Sequence, residues 1–125
     1  MAFRVELSPQ AFGDLDKIST YIEERSSLAI AAAWFDGIFA AIRSLGEMPS
    51  RCPIFEDSKE LGVEVRVLLH GKRNRRYKIY FSIQAEDERV IVFHVRHWAR
   101  KPVEADELED LMDEGVDLES GTQAS

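Results

Sequence analysis

Three apolar segments in the second half of the chain predict a β-meander. They lie at residues 63–69, 77–83 and 90–95. Each is rich in Val, Ile, Tyr or Phe and has the length of one strand. The breaks between them hold turn-forming residues, Gly71 and Asn74 in the first and residues 85–88 in the second. We therefore expect two hairpins in series, which give three antiparallel strands.

The first half of the chain alternates at strand spacing and then at helical spacing. Residues 3–7 alternate apolar and polar side chains, as a strand with one buried face does. Ser8 and Pro9 then form a helix start, because serine caps free amides and proline fits the first helical position. A second, more apolar helical pattern runs over residues 28–45. The turn at residues 25–27 makes the two helices an antiparallel hairpin.

The order strand, helix, helix, loop and three strands predicts a two-layer α+β domain. The first strand needs a sheet partner, and the simplest solution adds it to the meander, with both helices covering one face. A chain of 125 residues suits one such domain. We place the domain at residues 1–102. Residues 103–125 form an acidic extension, predicted as a short helix up to Met112 followed by a disordered end.

Charge is distributed unevenly along a chain whose net charge is −7. Residues 63–104 carry ten basic and five acidic side chains, whereas eight of the 23 acidic residues follow residue 104. A basic sheet invites an anionic partner. One hypothesis is that residues 103–112 fold back over the basic sheet and mask it, and the alternative is that this tail stays exposed.

Several classes of protein are disfavoured by the sequence. No apolar run approaches the roughly 20 residues that span a bilayer, and the N-terminus lacks the layout of a signal peptide. The lone Cys52 suits a reducing cytoplasm, where we expect the protein to act. The three histidines have no zinc-motif spacing with it, and there is no glycine-rich phosphate loop. We expect no metal, no cofactor and no membrane association.

Strand periodicity sorts the meander into two faces. The side expected to lie under the helices comprises Val63, Val65, Val67, Leu69, Tyr77, Ile79, Phe81, Ile83, Ile91, Phe93 and Val95. The opposite side then gathers Arg66, Arg76, Lys78, Tyr80, His94 and Arg96. A single β-bulge would move part of this set to the other face.

The second set contains the groups that RNA cleavage would require. A general base must take the 2′-hydroxyl proton, cations must stabilise the phosphorane, and an acid must protonate the leaving oxygen. Arginine could supply the charge, and Tyr80, His94 or His97 could transfer the proton. The plainer alternative is a solvated sheet face, with His94 packed between strands.

Four stretches, in this order, resemble the RelE/ParE superfamily of type II toxins. They are LSPQAFGDLDKISTYI, MPSRCP, VRVLLHGKRNRRYKIYFSI and VIVFHVRHWARKP. The third resembles an Arg-x-Leu…Tyr-Arg-Ile-x-Tyr run with Lys78 in the usual arginine position, and the fourth ends in an Arg-His-x-x-Arg signature. The resemblance covers residues 3–102 and is closer to the ParE-like, plasmid-stabilisation branch.

That branch implies a growth inhibitor that binds DNA gyrase and is neutralised by a cognate antitoxin. The antitoxin's C-terminal segment would wrap the toxin, and DNA would be contacted only through the antitoxin. The residues expected to bind the target or the antitoxin are Arg66, Lys72, Arg73, Arg75, Arg76, Lys78, Arg96, His97, Trp98 and Arg100.

Two alternatives remain open within the resemblance. A RelE-like protein would be a ribosome-dependent mRNA endoribonuclease, with Arg66, Arg76, Tyr80, His94, Arg96 and His97 as catalytic candidates. The chain departs from that branch, because the loop before the second meander strand has only Arg51 and Lys59, and no tyrosine follows Arg100. The other alternative is a non-toxic member that acts as an interaction module.

Overall fold

The structure is a computed structural model that describes residues 2–61, 64–100, 103–104, 107 and 110–112. Its helices and strands follow the predicted order, β-α-α-β-β-β. They are β1 (Arg4–Leu7), α1 (Pro9–Arg25), α2 (Leu28–Arg43), β2 (Arg66–His70), β3 (Tyr77–Gln84) and β4 (Arg89–His97). Short 3₁₀ turns occupy much of the loop between α2 and β2.

The four strands form one sheet in the order β1-β4-β3-β2. The β2-β3-β4 meander is antiparallel, as the sequence predicts, and β1 joins its edge by pairing with β4. That pairing is parallel, so the sheet is mixed rather than wholly antiparallel. The predicted two-layer α+β arrangement, with a helical hairpin on a four-stranded sheet, is confirmed.

Both helices begin at a serine cap, of which the sequence predicted Ser8, whereas Ser27 was predicted only as part of the turn between the helices. The Ser8 hydroxyl accepts from Ala11 N at 3.1 Å, and the Ser27 hydroxyl accepts from Ile30 N at 3.1 Å. Ser8 is buried, and its hydroxyl also donates to Phe93 O at 3.3 Å. The first turn of α1 is therefore fixed against β4 as well as capped.

The main core lies between the helical hairpin and the sheet. Its fully buried members include Leu15, Ile38, Ile79 and Phe81. The expectation that no apolar run approaches the length of a membrane span was wrong for one segment, because Leu28–Gly46 is long and apolar enough to cross a bilayer by length and composition alone. In the structure its Ile38, Ile42 and Leu45 are buried in this core, so we interpret α2 as a core helix.

A second, smaller core covers the face of the sheet opposite the helices, which we call the far face. It is built from Val65, Tyr80, Phe93, Val103 and Leu111, with Phe55, Val67 and Met112 packed against it. Residues 107 and 110–112 are helical. The prediction that this helix begins at Val103 was wrong, because Val103 and Glu104 are described and are not helical. Residues 105–106 and 108–109 of the predicted helix, and the predicted disordered end after Met112, lie outside the described residues.

The predicted faces of β2 were wrong. Arg66 pairs with Phe81 and Leu68 with Ile79, whereas Val67 pairs with Tyr80. Directly paired residues share a face, so Arg66 and Leu68 lie on the helix side and Val67 lies on the far face. The prediction assumed that only the face under the helices is buried. Because the far face is also covered, apolar residues of β2 such as Val67 can lie there instead.

A β-bulge changes the faces of β4. Tyr80 pairs with His94 but Phe81 pairs with Val92, which leaves Phe93 as the extra residue. Val92 and Val95 therefore both pack in the main core, while Phe93 packs on the far face. Ile91 pairs with Ser82 and so also lies on the far face. The predictions for Ile91 and Phe93 were wrong, and that for Val95 was right.

Candidate functional site

A series of polar contacts joins α1, across the end of β4, to the residues that follow the toxin-like domain, which we call the C-terminal segment (described at residues 103–104, 107 and 110–112). The His94 Nδ1 atom lies 2.7 Å from Asp14 Oδ2, which also accepts from Val95 N at 2.9 Å. Arg96 Nε donates to His94 Nε2 at 2.9 Å, and Arg96 Nη2 donates to Glu107 Oε2 at 2.6 Å. We call these four side chains, Asp14, His94, Arg96 and Glu107, the polar network.

The local fold explains why Asp14 is in this place. β1 pairs with β4 only as far as Val92, so the Val95 amide lies on the sheet edge beyond β1. α1 packs along this part of β4 and brings its Asp14 carboxylate to that amide. An unpaired edge amide is thereby satisfied.

The hydrogen bonds fix the tautomer of His94. Because its Nε2 accepts from the Arg96 guanidinium, the proton must be on Nδ1, which donates to Asp14. His94 and Arg96 are each only 4% exposed. A carboxylate, a neutral imidazole and a guanidinium thus stand in a row, which is an arrangement that can hold and transfer a proton.

Sequence reasoning selected His94 and Arg96 but missed Asp14. In the sequence Asp14 is one of several acidic residues on the polar side of α1, and its partners lie 80 and 81 positions away. No local pattern distinguishes it from Asp16. Only the packing of α1 against β4 does so.

Arg66 does not join this network. Its Nη1 donates to Ser50 O at 3.1 Å and Cys52 O at 2.6 Å, and its Nη2 pairs with Glu64. Arg66 therefore ties the long loop to the helix side of the sheet, on the face opposite Arg96. The nearby Cys52 thiol is buried, and burial raises its pKa, which keeps it protonated.

Arg76 also lies elsewhere, at the tip of the β2–β3 hairpin. Its guanidinium stacks over the Trp98 ring at 4.5 Å, and its Nε donates to Arg73 O at 3.1 Å. His97 Nε2 donates to Asn74 O at 2.5 Å from the end of β4. These contacts stabilise the hairpin tip and fix its position relative to β4.

The remaining predicted residues divide into exposed and covered groups. Lys72, Arg73, Arg75 and Arg100 are exposed. Lys78 is half-buried and lies opposite Arg96 in the register of β3 and β4, so both lie on the far face. Tyr80 is fully buried, with its ring 5.6 Å from that of His94. The predicted single open basic face is therefore wrong, because its members occupy two faces and a hairpin tip.

A groove of about 900 Å³ opens between the helical hairpin and the β2–β3 tip. Its walls are largely apolar and include Ile18, Tyr21, Ile22, Ile30 and Trp34. Lys17, Arg25 and Arg75 also line it, and none of the described lining residues is acidic. Tyr77 lies at its base, where burial raises the pKa of the phenol. We call this feature the hairpin groove.

Part of the hairpin groove is an exposed apolar surface. Tyr21 is 55% exposed and Ile30 is 42% exposed, although both are large apolar side chains. The indole N–H of Trp34 is buried and has no hydrogen-bond partner among the described residues. An apolar surface with an unused donor favours a protein partner.

We found no candidate metal centre in the part of the chain that the structure describes. No group of three or more His, Cys, Asp or Glu side chains is placed there to hold an ion. His70 faces α2, near Gly37, and burial lowers the pKa of its imidazole.

Comparisons with known proteins identify the family. The model of the ParE toxin of type II toxin–antitoxin systems, parDE, matches residues 5–102. No curated protein sequence matches the chain.

Two solved structures are similar in shape at low identity. One is a mutant Escherichia coli toxin RelE in the free state, with 16% identity, a TM-score of 0.49, and coverage of 94% of this chain and 97% of that one. The other is the toxin–antitoxin complex RelBE2 from Mycobacterium tuberculosis, with 23% identity, a TM-score of 0.48, and coverage of 80% and 95%.

The family model covers most of the chain, from the second residue of β1 through both helices and the end of β4. The resemblance noted from the sequence motifs is therefore confirmed at the level of the family. The chain belongs to the RelE/ParE superfamily, as a member of the ParE toxin family of type II toxin–antitoxin systems.

Proposed function

We propose that the chain inhibits growth in the cytoplasm by binding DNA gyrase, without a nuclease activity of its own, and that a cognate antitoxin holds it inactive. The observation that supports a binding mechanism is the separation of Arg66, Arg76 and Arg96. A nuclease must direct its cations at one phosphate. Here one arginine holds a loop, one stacks on Trp98 and one lies buried in the polar network.

Induced expression should stop DNA synthesis before protein synthesis. A gyrase inhibitor blocks replication directly, whereas a ribosome-dependent nuclease removes messages first. The measurement is incorporation of labelled thymidine and methionine during the first minutes after induction. An early fall in methionine incorporation would reject gyrase as the target, and a fall in neither would reject toxicity.

An endoribonuclease is the second candidate, and the polar network is what favours it. Asp14 orients His94, and Arg96 stands beside the imidazole, so a proton-transfer group and a cation are adjacent. In that case Arg96→Ala should abolish mRNA cleavage, while Arg66→Ala should leave the chemistry intact. A gyrase binder would show no mRNA cleavage in any form.

We further propose that the antitoxin segment docks in the hairpin groove. The groove is apolar with a basic rim, so its partner should be an amphipathic segment with acidic residues. Tyr21 is its most exposed aromatic residue, and the Arg25 guanidinium lies 4.3 Å from the centre of its ring. Exposed aromatic residues beside arginine are typical centres of binding energy.

Tyr21→Ala should weaken neutralisation by the cognate antitoxin about tenfold or more, as loss of a central aromatic contact does. Phe12→Ala is the matched control, because Phe12 is 53% exposed on the same helix but does not line the groove. The affinity of each purified variant for the antitoxin can be measured by calorimetry. Equal affinities for the two variants would place the antitoxin elsewhere.

A further inference from the structure

The C-terminal segment is anchored on the far face by two buried apolar side chains. Val103 is fully buried and Leu111 is 9% exposed, and both pack with Tyr80 and Phe93 of the sheet. Among the described residues of this segment, Glu104 and Asp110 are exposed. The segment therefore turns an apolar side toward the sheet and an acidic side toward solvent.

An ion pair joins the segment to the sheet between these anchors. Glu107 Oε2 accepts from Arg96 Nη2 at 2.6 Å. The Arg96 side chain is 3% exposed, whereas that of Glu107 is 44% exposed. Lys78, which pairs with Arg96 in the sheet, adds a second cation to the same face. The segment and the surface under it are thus complementary in both apolar contact and charge.

The family model covers the far-face surface but not the segment that packs on it. The family model matches residues 5–102, so it includes Tyr80, Phe93 and Arg96 but ends before Val103. The surface is thus a part of the toxin domain, and the segment is attached to it by the chain. Burying a guanidinium is costly unless a carboxylate accompanies it, and in this structure Glu107 supplies that carboxylate.

We propose that this C-terminal segment is an intramolecular ligand of the far face and that it limits toxicity by occupying the surface where the protein target binds. A tethered segment competes at an effective concentration near the millimolar range, which only a tighter-binding partner overcomes. The target would then present its own acidic and apolar residues to Arg96, Tyr80 and Phe93. The inference rests on the proposed function, because a growth inhibitor is what the cover would restrain.

The test compares two charge reversals in the full chain. Glu107→Lys places a cation against Arg96 and should release the segment, whereas Asp110→Lys makes the same change in net charge at an exposed position. The methyl resonances of Val103 and Leu111, which lie in a core with the Tyr80 and Phe93 rings, should move toward unstructured values only in Glu107→Lys. The inducer concentration that arrests growth should fall about tenfold in that variant alone.

Each outcome separates the inference from the function on which it rests. Unmoved methyl resonances in Glu107→Lys would show that the ion pair does not hold the segment. Released methyl groups with unchanged toxicity, in cells that the unmodified chain does arrest, would show that the far face is not the target surface. If no form arrests growth, the proposed function itself fails.

A truncation after Pro102 provides an independent variant. It removes the whole segment and should arrest growth at least as strongly as Glu107→Lys, provided that its circular dichroism spectrum remains that of the folded chain. If the truncated chain is unfolded, the Glu107→Lys result decides the question. A folded truncated chain with the toxicity of the full chain would overturn the proposal.

Discussion

Replacing Asp14 with alanine should lower the free energy of unfolding by about 3 kcal/mol, since it leaves two buried donors without an acceptor. Asp14 Oδ2 accepts from both His94 Nδ1 and Val95 N, and the Asp14 side chain is only 12% exposed. Alanine at this position supplies no oxygen, and His94 and Val95 are both buried, so water has little access to the two donors. Urea denaturation of the purified protein measures the change.

Two matched variants show whether the loss comes from the network. Asp16→Ala removes an exposed carboxylate from the same helix and should change the free energy of unfolding by less than about 0.5 kcal/mol. Asp14→Asn keeps one acceptor oxygen and should fall between the two. If Asp14→Ala and Asp16→Ala cost the same, the polar network does not contribute to stability.

Local patterns in the sequence predicted the elements of this fold correctly. The Ser8 cap, the turn between the helices and the three apolar segments each depend on neighbours within a few residues. Short-range rules are sufficient for such features. The parallel pairing of β1 with β4 is different, because its partner residues lie more than 80 positions apart.

The faces of the sheet could not be predicted because periodicity gives alternation but not direction. Val65 and Val67 are apolar because they pack with Phe55 and Tyr80 on the far face, not because they face the helices. The bulge at Phe93 then shifts the alternation within β4. A one-residue shift moves every later side chain to the opposite face.

The candidate site was predicted in part for the same reason. His94 and Arg96 lie two positions apart on one strand, so periodicity placed them together. Asp14 and Glu107 come from elements distant in sequence, and only tertiary packing joins them to the strand. The hypothesis that the acidic tail folds back used charge alone, and the structure adds the apolar anchors Val103 and Leu111.

Replacing Gly71 with alanine should be the most disruptive single-methyl change in the β2–β3 hairpin. Gly71 has a φ of +104°, and an added Cβ would lie 2.1 Å from Arg75 O. The clash is with backbone, so the tip must rearrange. We expect a loss of about 2–3 kcal/mol in the free energy of unfolding, from the strained conformation and the displaced turn.

The Gly71→Ala substitution should also affect the hairpin groove. Asn74 and Arg75 line the groove, so moving the tip should also weaken antitoxin binding, which calorimetry would detect. Gly13→Ala is the control, because its Cβ would meet nothing within 4 Å on α1, and helix propensity should raise stability by about 0.5–1 kcal/mol. If Gly71→Ala proved as stable as the unmodified chain and bound antitoxin equally well, the tip would be free to adopt another turn. The basic rim that the tip supplies would then contribute nothing to the groove, and the antitoxin segment would have to be held by the helical hairpin alone.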